Sequence, residues 1–322
     1  MTFAQKSAVF MSKCMAKHDK KYKSGQPLPE GVETAEYDYL DDGHEMHKLN
    51  VYRPRNMGAT LPLIIDIHGG AWVYGDKELN KGMCMYLASL GYCVAGMSYR
   101  LVPEADLTDQ VHDVFASLHF IAENAAKWGA DASAVMLTGD SAGGHLSSLA
   151  LCICLSDELQ RIYGVTAPAL GIKCLVMSHP VCEVHSILRN RKYAPSKSGA
   201  AFQRIYEPLL FGKDPKSNKI YNYASFTQYS RNLTLPPVMM IGCERDSYGR
   251  HSKFLDSVLR NMVKEGRCPR YVFDYTSKAE EKDRLCHVFE VAFPFREDSK
   301  RVLDAAAEFF DESRKLRRHI WK

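Results

Sequence analysis

One serine of the chain has the sequence context of an activated nucleophile. The segment TGDSAGGH at positions 138–145 fits the pattern G-x-S-x-G, directly follows an apolar strand-like run and directly precedes a helix-like run. A sharp turn from strand to helix holds such a serine in a strained backbone conformation, so small residues are required on both sides. Gly139, Ala142 and Gly143 meet that requirement. The pattern predicts that Ser141 attacks an acyl carbon.

A glycine-rich loop could stabilise the charge that such an attack creates. The loop reads HGGAW at positions 68–72 and lies at the end of an earlier apolar run. Acyl transfer needs backbone N–H groups aimed at the developing oxyanion, and small residues leave those groups accessible. We expect Gly70 and Ala71 to be the main donors, and Gly69 is a further possible donor. The N–H of Ala142 would complete this oxyanion hole. A tight turn without function is the alternative, but it would not explain why the loop occurs together with the serine motif.

A histidine must take the proton of the serine, and the chain offers 12 of them. In sites built on this serine motif, the acid and then the histidine follow the serine along the chain, which excludes every earlier histidine. His145 stands too close to Ser141 on the same predicted helix. The remaining candidates are His179, His185, His251, His287 and His319. His287 is the predicted base because it falls in the loop between the last strand-like run and the final helix.

The carboxylate that orients this histidine is predicted to be Asp246. It stands in GCERD at positions 242–246, just after a strand-like run, and catalytic groups gather at the carboxyl ends of strands in open α/β sheets. Asp246 is favoured over Glu244 because the residue must clear the strand end before it turns inward. Asp283 is a weaker rival, since its charged surroundings are also typical of a solvated loop.

The elements that would position these residues alternate between strands and helices. A hairpin is predicted first, from 35–40 and 46–52. Apolar runs typical of strands follow at 61–68, 92–99, 134–140, 172–178, 237–243 and 271–275. Helical patterns occur at 81–90, 110–128, 142–155, 252–264 and 299–316. This alternation predicts an α/β fold with a mostly parallel central sheet and helices on both faces.

Two segments lie outside that alternation. Residues 1–30 have the pattern of an amphipathic helix and a linker, and the stretch between Pro180 and Pro236 lacks a strand signal but is rich in aromatic residues. Such a long, aromatic insertion is typical of a functional element. We therefore expect one catalytic domain over 1–322, with a helical cap formed by 1–30 and 183–230. A peripheral elaboration packed on the sheet edge is the alternative.

The motifs and their order resemble those of a known enzyme family. The pattern H-G-G-x-W is followed about 70 residues later by G-D-S-A-G-G, and SYRLVPE lies between them at 98–104. In this respect the chain resembles the bacterial hormone-sensitive-lipase-like esterases of the α/β-hydrolase superfamily, from about Tyr37 to the last helix. The resemblance implies an α/β-hydrolase fold and a triad of Ser141, Asp246 and His287. It also implies a cap that lines the acyl and alcohol pockets.

These inferences together predict a serine carboxylic-ester hydrolase. The expected substrates are small-molecule esters with short, acetyl-type acyl groups, hydrolysed through an acyl-enzyme without a cofactor or a metal. An arylformamidase-like amidase is one alternative, because it can show the same pair of motifs. A non-catalytic binding protein with the same fold is the other.

Composition limits the remaining possibilities. The 322 residues are 46% hydrophobic and 25% charged, which excludes a disordered or collagen-like chain. The net charge of +4 gives no general case for nucleic-acid binding. Basic segments at 17–23 and 314–322 are interpreted as solvated, with contact to nucleic acid or an anionic membrane as the alternative.

The cysteines and the apolar segments indicate a cellular location. Several of the ten cysteines lie in apolar runs, so we expect reduced core residues rather than disulfides, and no C-x-x-C supports the alternative of a zinc site. The N-terminal residues lack a secretory signal pattern and no apolar run is long enough for a membrane span. The expected location is the cytoplasm.

Overall fold

A single sheet of eight strands runs through the part of the chain that the structure describes. The computed structural model describes residues 1–23, 25–55, 57–58, 60–189, 199–277 and 285–316. The strands are β1 (Val32–Asp38), β2 (Lys48–Pro54), β3 (Leu61–Ile67), β4 (Cys93–Met97), β5 (Ala130–Asp140), β6 (Ile172–Ser178), β7 (Val238–Cys243) and β8 (Tyr271–Thr276). Their order across the sheet is β1-β2-β4-β3-β5-β6-β7-β8. Only the pairs β1–β2 and β2–β4 are antiparallel, so the predicted mostly parallel sheet is confirmed.

Helices connect the strands and cover the sheet. They are α1 (Phe3–Lys23), α2 (Lys81–Ser89), α3 (Leu107–Asn124), α4 (Ala142–Cys154), α5 (Asp157–Tyr163), α6 (Val184–Arg189), α7 (Gly199–Phe211), α8 (Phe226–Tyr229), α9 (Gly249–Lys264), α10 (Phe289–Ala292) and α11 (Glu297–Ser313). Short 3-10 turns lie at Ala125–Trp128, Pro215–Ser217 and Tyr221–Tyr223.

The side chains of β3 show why both faces of the sheet are covered. Leu63 and Ile65 belong to the hydrophobic core that also contains buried residues of α3, α4 and α9. Ile64, between them, belongs to a second core with α2 and α11. Because successive residues of a strand point to opposite faces, an uninterrupted apolar run requires helices on both sides.

Helix capping explains why α3 begins before its predicted first residue. The helix expected at 110–128 begins at Leu107, because the side chain of Asp106 accepts hydrogen bonds from the N–H groups of Thr108 and Asp109. It ends at Asn124, and the last four residues of the predicted helix form the 3-10 turn Ala125–Trp128 instead. Helix α5 was not predicted, since it is only seven residues long.

The two segments predicted to form a cap contact each other. Ala8 of α1 belongs to the same core as Tyr206 of α7, and the Tyr206 hydroxyl lies 3.7 Å from the sulfur of Met11. The Tyr206 ring is also 6.2 Å from the ring of Trp72, in the glycine-rich loop. The N-terminal helix and the insertion therefore meet beside that loop.

All ten cysteines are free thiols and most of them are buried, which agrees with their interpretation as packing residues. Among the helices of the described ranges, none has the length and apolar character needed to cross a membrane.

Gly143, in the first turn of α4, provides a test of how closely this helix approaches β3. A Cβ atom at Gly143 would lie 1.9 Å from the carbonyl oxygen of Ile67, a backbone atom that cannot move without disturbing the sheet. We expect Gly143→Ala to lower the free energy of unfolding by about 3 kcal/mol. Gly58→Ala is the matched control, because a Cβ atom there would meet nothing within 4 Å. Urea denaturation of both variants measures the difference, and equal stabilities would contradict the close approach.

Candidate active site

Ser141 lies at the turn between β5 and α4, with strained backbone dihedral angles. Its φ is 51° and its ψ is −113°, a conformation that L-residues other than glycine rarely adopt. Two backbone hydrogen bonds hold it there: the Ser141 N–H donates to the carbonyl of Ser178 over 2.8 Å, and the Ser141 carbonyl accepts from Val181 N–H over 3.0 Å. Two hydrogen bonds thus fix Ser141 to the last residue of β6 and to the segment that follows β6.

The structure brings Ser141, His287 and Asp246 into one chain of hydrogen bonds. His287 Nε2 lies 2.9 Å from Ser141 Oγ, and His287 Nδ1 lies 2.8 Å from Asp246 Oδ1. Ser141 follows β5, Asp246 follows β7 and His287 follows β8. All three therefore stand at the carboxyl edge of the parallel strands, where such sheets place their ligands. This arrangement can pass a proton from the serine to an oriented imidazole.

Asp246 is buried, and its carboxylate has hydrogen-bond partners besides His287. Its carboxylate also accepts from the N–H of Tyr248 over 2.8 Å and contacts Ser252 Oγ at 3.4 Å. Burial alone would raise the pKa of Asp246, but the hydrogen bond and the charge of His287 outweigh burial and lower it. Glu244, the alternative acid, is exposed to solvent. Asp283, the weaker rival, lies outside the described residues.

The other histidines that follow Ser141 have partners elsewhere. His185 Nε2 donates to the carbonyl of Tyr221, and His251 Nε2 accepts from the N–H of Glu183. His179 is buried beside Glu290, while His319 lies outside the described residues. Of the described candidates, only His287 is within hydrogen-bond distance of Ser141.

The glycine-rich loop has an unusual backbone, and it corrects one predicted donor. Gly70, Ala71 and Trp72 all have positive φ, at 99°, 54° and 61°. The N–H of Gly69 already donates to the carboxylate of Asp140 over 2.8 Å, so Gly69 cannot serve as an oxyanion donor, contrary to the sequence-based expectation. Within the described ranges, the N–H groups of Gly70, Ala71 and Ala142 have no protein acceptor.

His145 holds this loop to the insertion. The indole N–H of Trp72 donates to His145 Nδ1 over 3.3 Å, and His145 Nε2 donates to the carbonyl of Ala224 over 2.8 Å. Burial lowers the pKa of His145 to about 4, which keeps the ring neutral at pH 7 and leaves Nδ1 free to accept. Sequence reasoning excluded His145 as a base but did not reveal this positioning role.

A buried pair of carboxyl groups supports the other end of the loop. The side-chain amide of Asn80 donates to Asp66 Oδ2 over 2.9 Å and to Asp140 Oδ1 over 2.8 Å. Burial, and then the neighbouring charge of Asp140, raises the pKa of Asp66 to about 8. Asp66 interrupts an apolar strand run, which was the one sequence signal that could have revealed this pair.

A second buried cluster lies behind His287. The ring of His179 packs edge-on against the ring of His287, with 5.6 Å between centroids. Ser178 Oγ lies 3.0 Å from His179 Nδ1 and donates to the carboxylate of Glu290. Burial alone would lower the pKa of His179, but the Glu290 carboxylate reverses the direction and raises it. The cluster therefore joins the end of β6 to Glu290 in α10, close to the segment that carries His287.

A cavity of about 780 Å³ opens beside His287. It lies between α1 and the segment around α10. Its lining comprises Met15, His18, Asp19, Lys23, Gln26, Pro27, Cys286, His287, Val288, Ala292, Phe293, Phe295 and Arg296. Among the described residues, no group of three or more His, Cys, Asp or Glu side chains could hold a metal ion.

The raised pKa of Asp66 leads to a prediction about stability and pH. An aspartate in the unfolded chain titrates near pH 4, whereas the folded state keeps the Asp66 proton until about pH 8. The folded state therefore binds more protons over this interval, and the contribution of Asp66 to stability falls as the pH rises through it. We expect Asp66→Asn, which cannot ionise, to raise the free energy of unfolding relative to wild type by more at about pH 9 than at about pH 5.

Urea denaturation at the two pH values measures this effect. Asp41→Asn, at an exposed carboxylate, is the control for the loss of one negative charge. A difference between Asp66→Asn and wild type that is the same at both pH values would contradict the assignment of a neutral buried acid.

The chain is similar to known proteins over most of its length. A family model described as BD-FAE matches residues 49–257, about two-thirds of the chain. The crystal structure of inhibited Esterase B from Lactobacillus rhamnosis is similar to this chain, with a TM-score of 0.88 and 33% sequence identity. The alignment covers 98% of this chain and 97% of that one. Another structure of Esterase B, with a C4-C4 SN3 tributyrin phosphonate, has a TM-score of 0.85 and 34% sequence identity. That alignment covers 97% of this chain and 96% of Esterase B.

Curated relatives match over a shorter stretch. Carboxylesterase NlhH from Mycobacterium tuberculosis is 32% identical over 117 residues, which are 36% of this chain and 35% of that protein. The probable isoprenylcysteine alpha-carbonyl methylesterase ICMEL2 from Arabidopsis thaliana is 33% identical over 109 residues, or 34% and 26%. The chain thus spans about a quarter to a third of the length of these two relatives. Together with the fold, these matches confirm the predicted resemblance to hormone-sensitive-lipase-like esterases, and the chain belongs to the BD-FAE family of α/β hydrolases.

Proposed function

We propose that the protein is a serine carboxylesterase that hydrolyses small-molecule esters. The observation that carries the proposal is the chain of hydrogen bonds from Ser141 through His287 to Asp246, at the carboxyl edge of the sheet. The esterase relatives support the same reaction. In this proposal, residues 1–322 form one catalytic domain, and 1–30 and 183–230 form its cap.

His287 acts first as a general base. Its Nε2 accepts the proton of Ser141 Oγ while Oγ attacks the carbonyl carbon of the ester, which turns a weak nucleophile into an effective one. The Nδ1–H remains hydrogen-bonded to Asp246, whose carboxylate orients the ring and stabilises the imidazolium that forms. The lowered pKa of Asp246 suits this role, because the carboxylate stays ionised through the cycle.

The loop at 68–72 and the start of α4 stabilise the oxyanion. The N–H groups of Gly70, Ala71 and Ala142 donate to the negatively charged oxygen of the tetrahedral intermediate. Since these groups have no protein acceptor among the described residues, they need not break a hydrogen bond when the charge develops. The amino terminus of α4 adds the favourable end of a helix dipole.

Release of the two products completes the cycle. The intermediate collapses as the imidazolium of His287 returns its proton to the alcohol oxygen, which leaves an acyl group on Ser141. Water, deprotonated by the same histidine, then attacks this acyl-enzyme, and the acid departs as the serine recovers its proton. Ester and water thus give an acid and an alcohol, and no step requires a cofactor or a metal.

The insertion supports a preference for short acyl groups. Several of its described aromatic side chains, among them Tyr206, Phe211 and Phe226, are buried, and Tyr206 packs beside Trp72 in the glycine-rich loop. Bulky rings at that place would crowd a long acyl chain. The tributyrin phosphonate held by Esterase B agrees with short acyl groups in a related site.

Replacement of the nucleophile is the direct test of the mechanism. We expect Ser141→Ala to lower kcat/KM for p-nitrophenyl acetate by about 10⁴-fold or more while the far-UV circular dichroism stays unchanged. Ser147→Ala, six residues further along α4, is the matched control and should keep most of the activity, because its hydroxyl only donates to the carbonyl of Gly144. Wild-type rates in Ser141→Ala would overturn the proposal.

A covalent probe distinguishes an enzyme from a binding protein. An alkyl phosphonate ester should label Ser141 of the wild-type chain, as mass spectrometry of the digested protein would show. Failure of labelling in a folded chain would favour the non-catalytic alternative.

The acyl preference is tested with a series of p-nitrophenyl esters. We expect kcat/KM to be highest between acetyl and butyryl and to decline as the acyl chain lengthens, because the buried rings limit the space beside Trp72. A preference for chains beyond about ten carbons would contradict this expectation. Hydrolysis of N-formylkynurenine in the same assay, faster than that of acetyl esters, would instead favour the arylformamidase-like alternative.

A further inference from the structure

The solvent side of α1 combines exposed aromatic rings with lysines. Phe3 and Phe10 are 76% and 69% exposed, which is unusual for such large apolar side chains at helical spacing. The lysines of the same side are exposed as well. We define the outer face of α1 as Phe3, Lys6, Phe10, Lys13, Lys17 and Lys20.

These six residues form one continuous stripe along the helix. Their spacing of three and four residues places them on the same side of an α-helix. The opposite side packs on the protein: Ala4 and Ala8 are buried, and Met11 and Met15 contact the hydrophobic core. Contact with the body of the protein therefore fixes which side of α1 faces solvent. The first turn is also well defined, since Thr2 and Gln5 exchange hydrogen bonds between side chain and backbone.

The charged residues of α1 are almost all basic. Asp19 is its one acidic residue, and the Asp19 carboxylate lies 3.5 Å from Lys23. No carboxylate of the helix therefore stands among the lysines of the outer face. A basic helix that exposes aromatic rings between its lysines has the composition of helices that lie in the surface of a membrane.

We propose that the outer face of α1 docks on an anionic lipid surface. The rings of Phe3 and Phe10 enter the boundary between headgroups and acyl chains, and the lysines lie among anionic headgroups. Aromatic rings are suited to this boundary, and each lysine near such a surface adds to the attraction. The small net charge of the whole chain means that this attraction is local to α1 rather than general.

Docking through α1 would bring the candidate active site to the surface. Met15, His18, Asp19 and Lys23 of α1 line the cavity that reaches His287, so one helix forms both the wall of the cavity and the docking face. The expected substrates would then be esters that partition into a lipid surface. This last step rests on the proposed esterase function, whereas docking itself does not.

Vesicle binding of the full chain tests the proposal. We expect the protein to sediment with phosphatidylcholine vesicles that contain about 30% phosphatidylglycerol, and to bind pure phosphatidylcholine at least about tenfold more weakly. The double variant Phe3→Ser/Phe10→Ser and the triple variant Lys6→Gln/Lys13→Gln/Lys17→Gln should each weaken binding to the anionic vesicles at least about tenfold.

Control variants separate docking from general surface properties. Lys213→Gln/Lys253→Gln/Lys264→Gln removes the same charge from exposed lysines elsewhere and should leave binding unchanged. Val263→Ser/Leu155→Ser removes two partly exposed apolar side chains elsewhere and should also leave it unchanged. All of these variants should hydrolyse a soluble ester at the wild-type rate. Ser141→Ala should bind vesicles as the wild type does, so that a failure of docking and a failure of catalysis are seen separately.

Three results would overturn the proposal. The first is equal binding of the wild type to anionic and neutral vesicles, or no binding to either. The second is unchanged binding in both α1 variants. The third is a wild-type dimer, in analytical ultracentrifugation without vesicles, that the α1 variants lose, because the outer face would then be occupied by a second copy of the chain.

Discussion

The close approach of α4 to the end of β3 is the constraint on which the site depends. Cβ atoms at Gly139 and Gly143 would lie 2.4 Å and 1.9 Å from backbone oxygens, so no larger residue fits either position. This contact forces the chain to turn sharply at Ser141, which accepts a φ of 51° and bonds to the backbone of Ser178. Because the strands are parallel, the loops that follow β7 and β8 emerge at the same edge. Asp246 and His287 can therefore reach Ser141 along this edge, although β7 and β8 lie two and three positions from β5 in the sheet.

Buried clusters of hydrogen-bonded side chains on both sides of Ser141 hold these loops in place. On one side, Asn80 joins Asp66 to Asp140, and Asp140 holds the N–H of Gly69. On the other, Ser178 lies between His179 and Glu290 behind the histidine of the site. Each buried charge without a counter-charge costs several kcal/mol, and the two clusters limit that cost differently. The raised pKa of Asp66 keeps a second negative charge away from Asp140, whereas in the other cluster Glu290 lies beside His179 and raises the pKa of that imidazole.

The sequence was most informative where a local pattern determines the structure. The six apolar runs became strands within a few residues of their predicted ends, because a strand buried on both faces must be apolar throughout. The serine motif and the glycine-rich loop were also recognisable, since their backbone conformations demand small residues. What sequence reasoning missed depends on contacts between distant segments. Nothing near Gly69 in the sequence indicates that its N–H is bonded to Asp140, and nothing near His145 indicates that it joins Trp72 to Ala224.

Helix α1 shows why substrate specificity is harder to predict from sequence than the reaction itself. Ser141 and Asp246 stand directly after or close to strand ends, and hydrogen bonds to both of them hold His287. The cavity beside His287, in contrast, is formed by side chains of α1 and of the segment around α10, which meet only through packing. The alternation of apolar and basic residues in α1 predicted a helix, but not which residues would face the cavity and which the solvent. Packing of Ala8 and Met11 against the core decides that orientation, because it turns the inner side of the helix toward the protein and the outer side toward solvent.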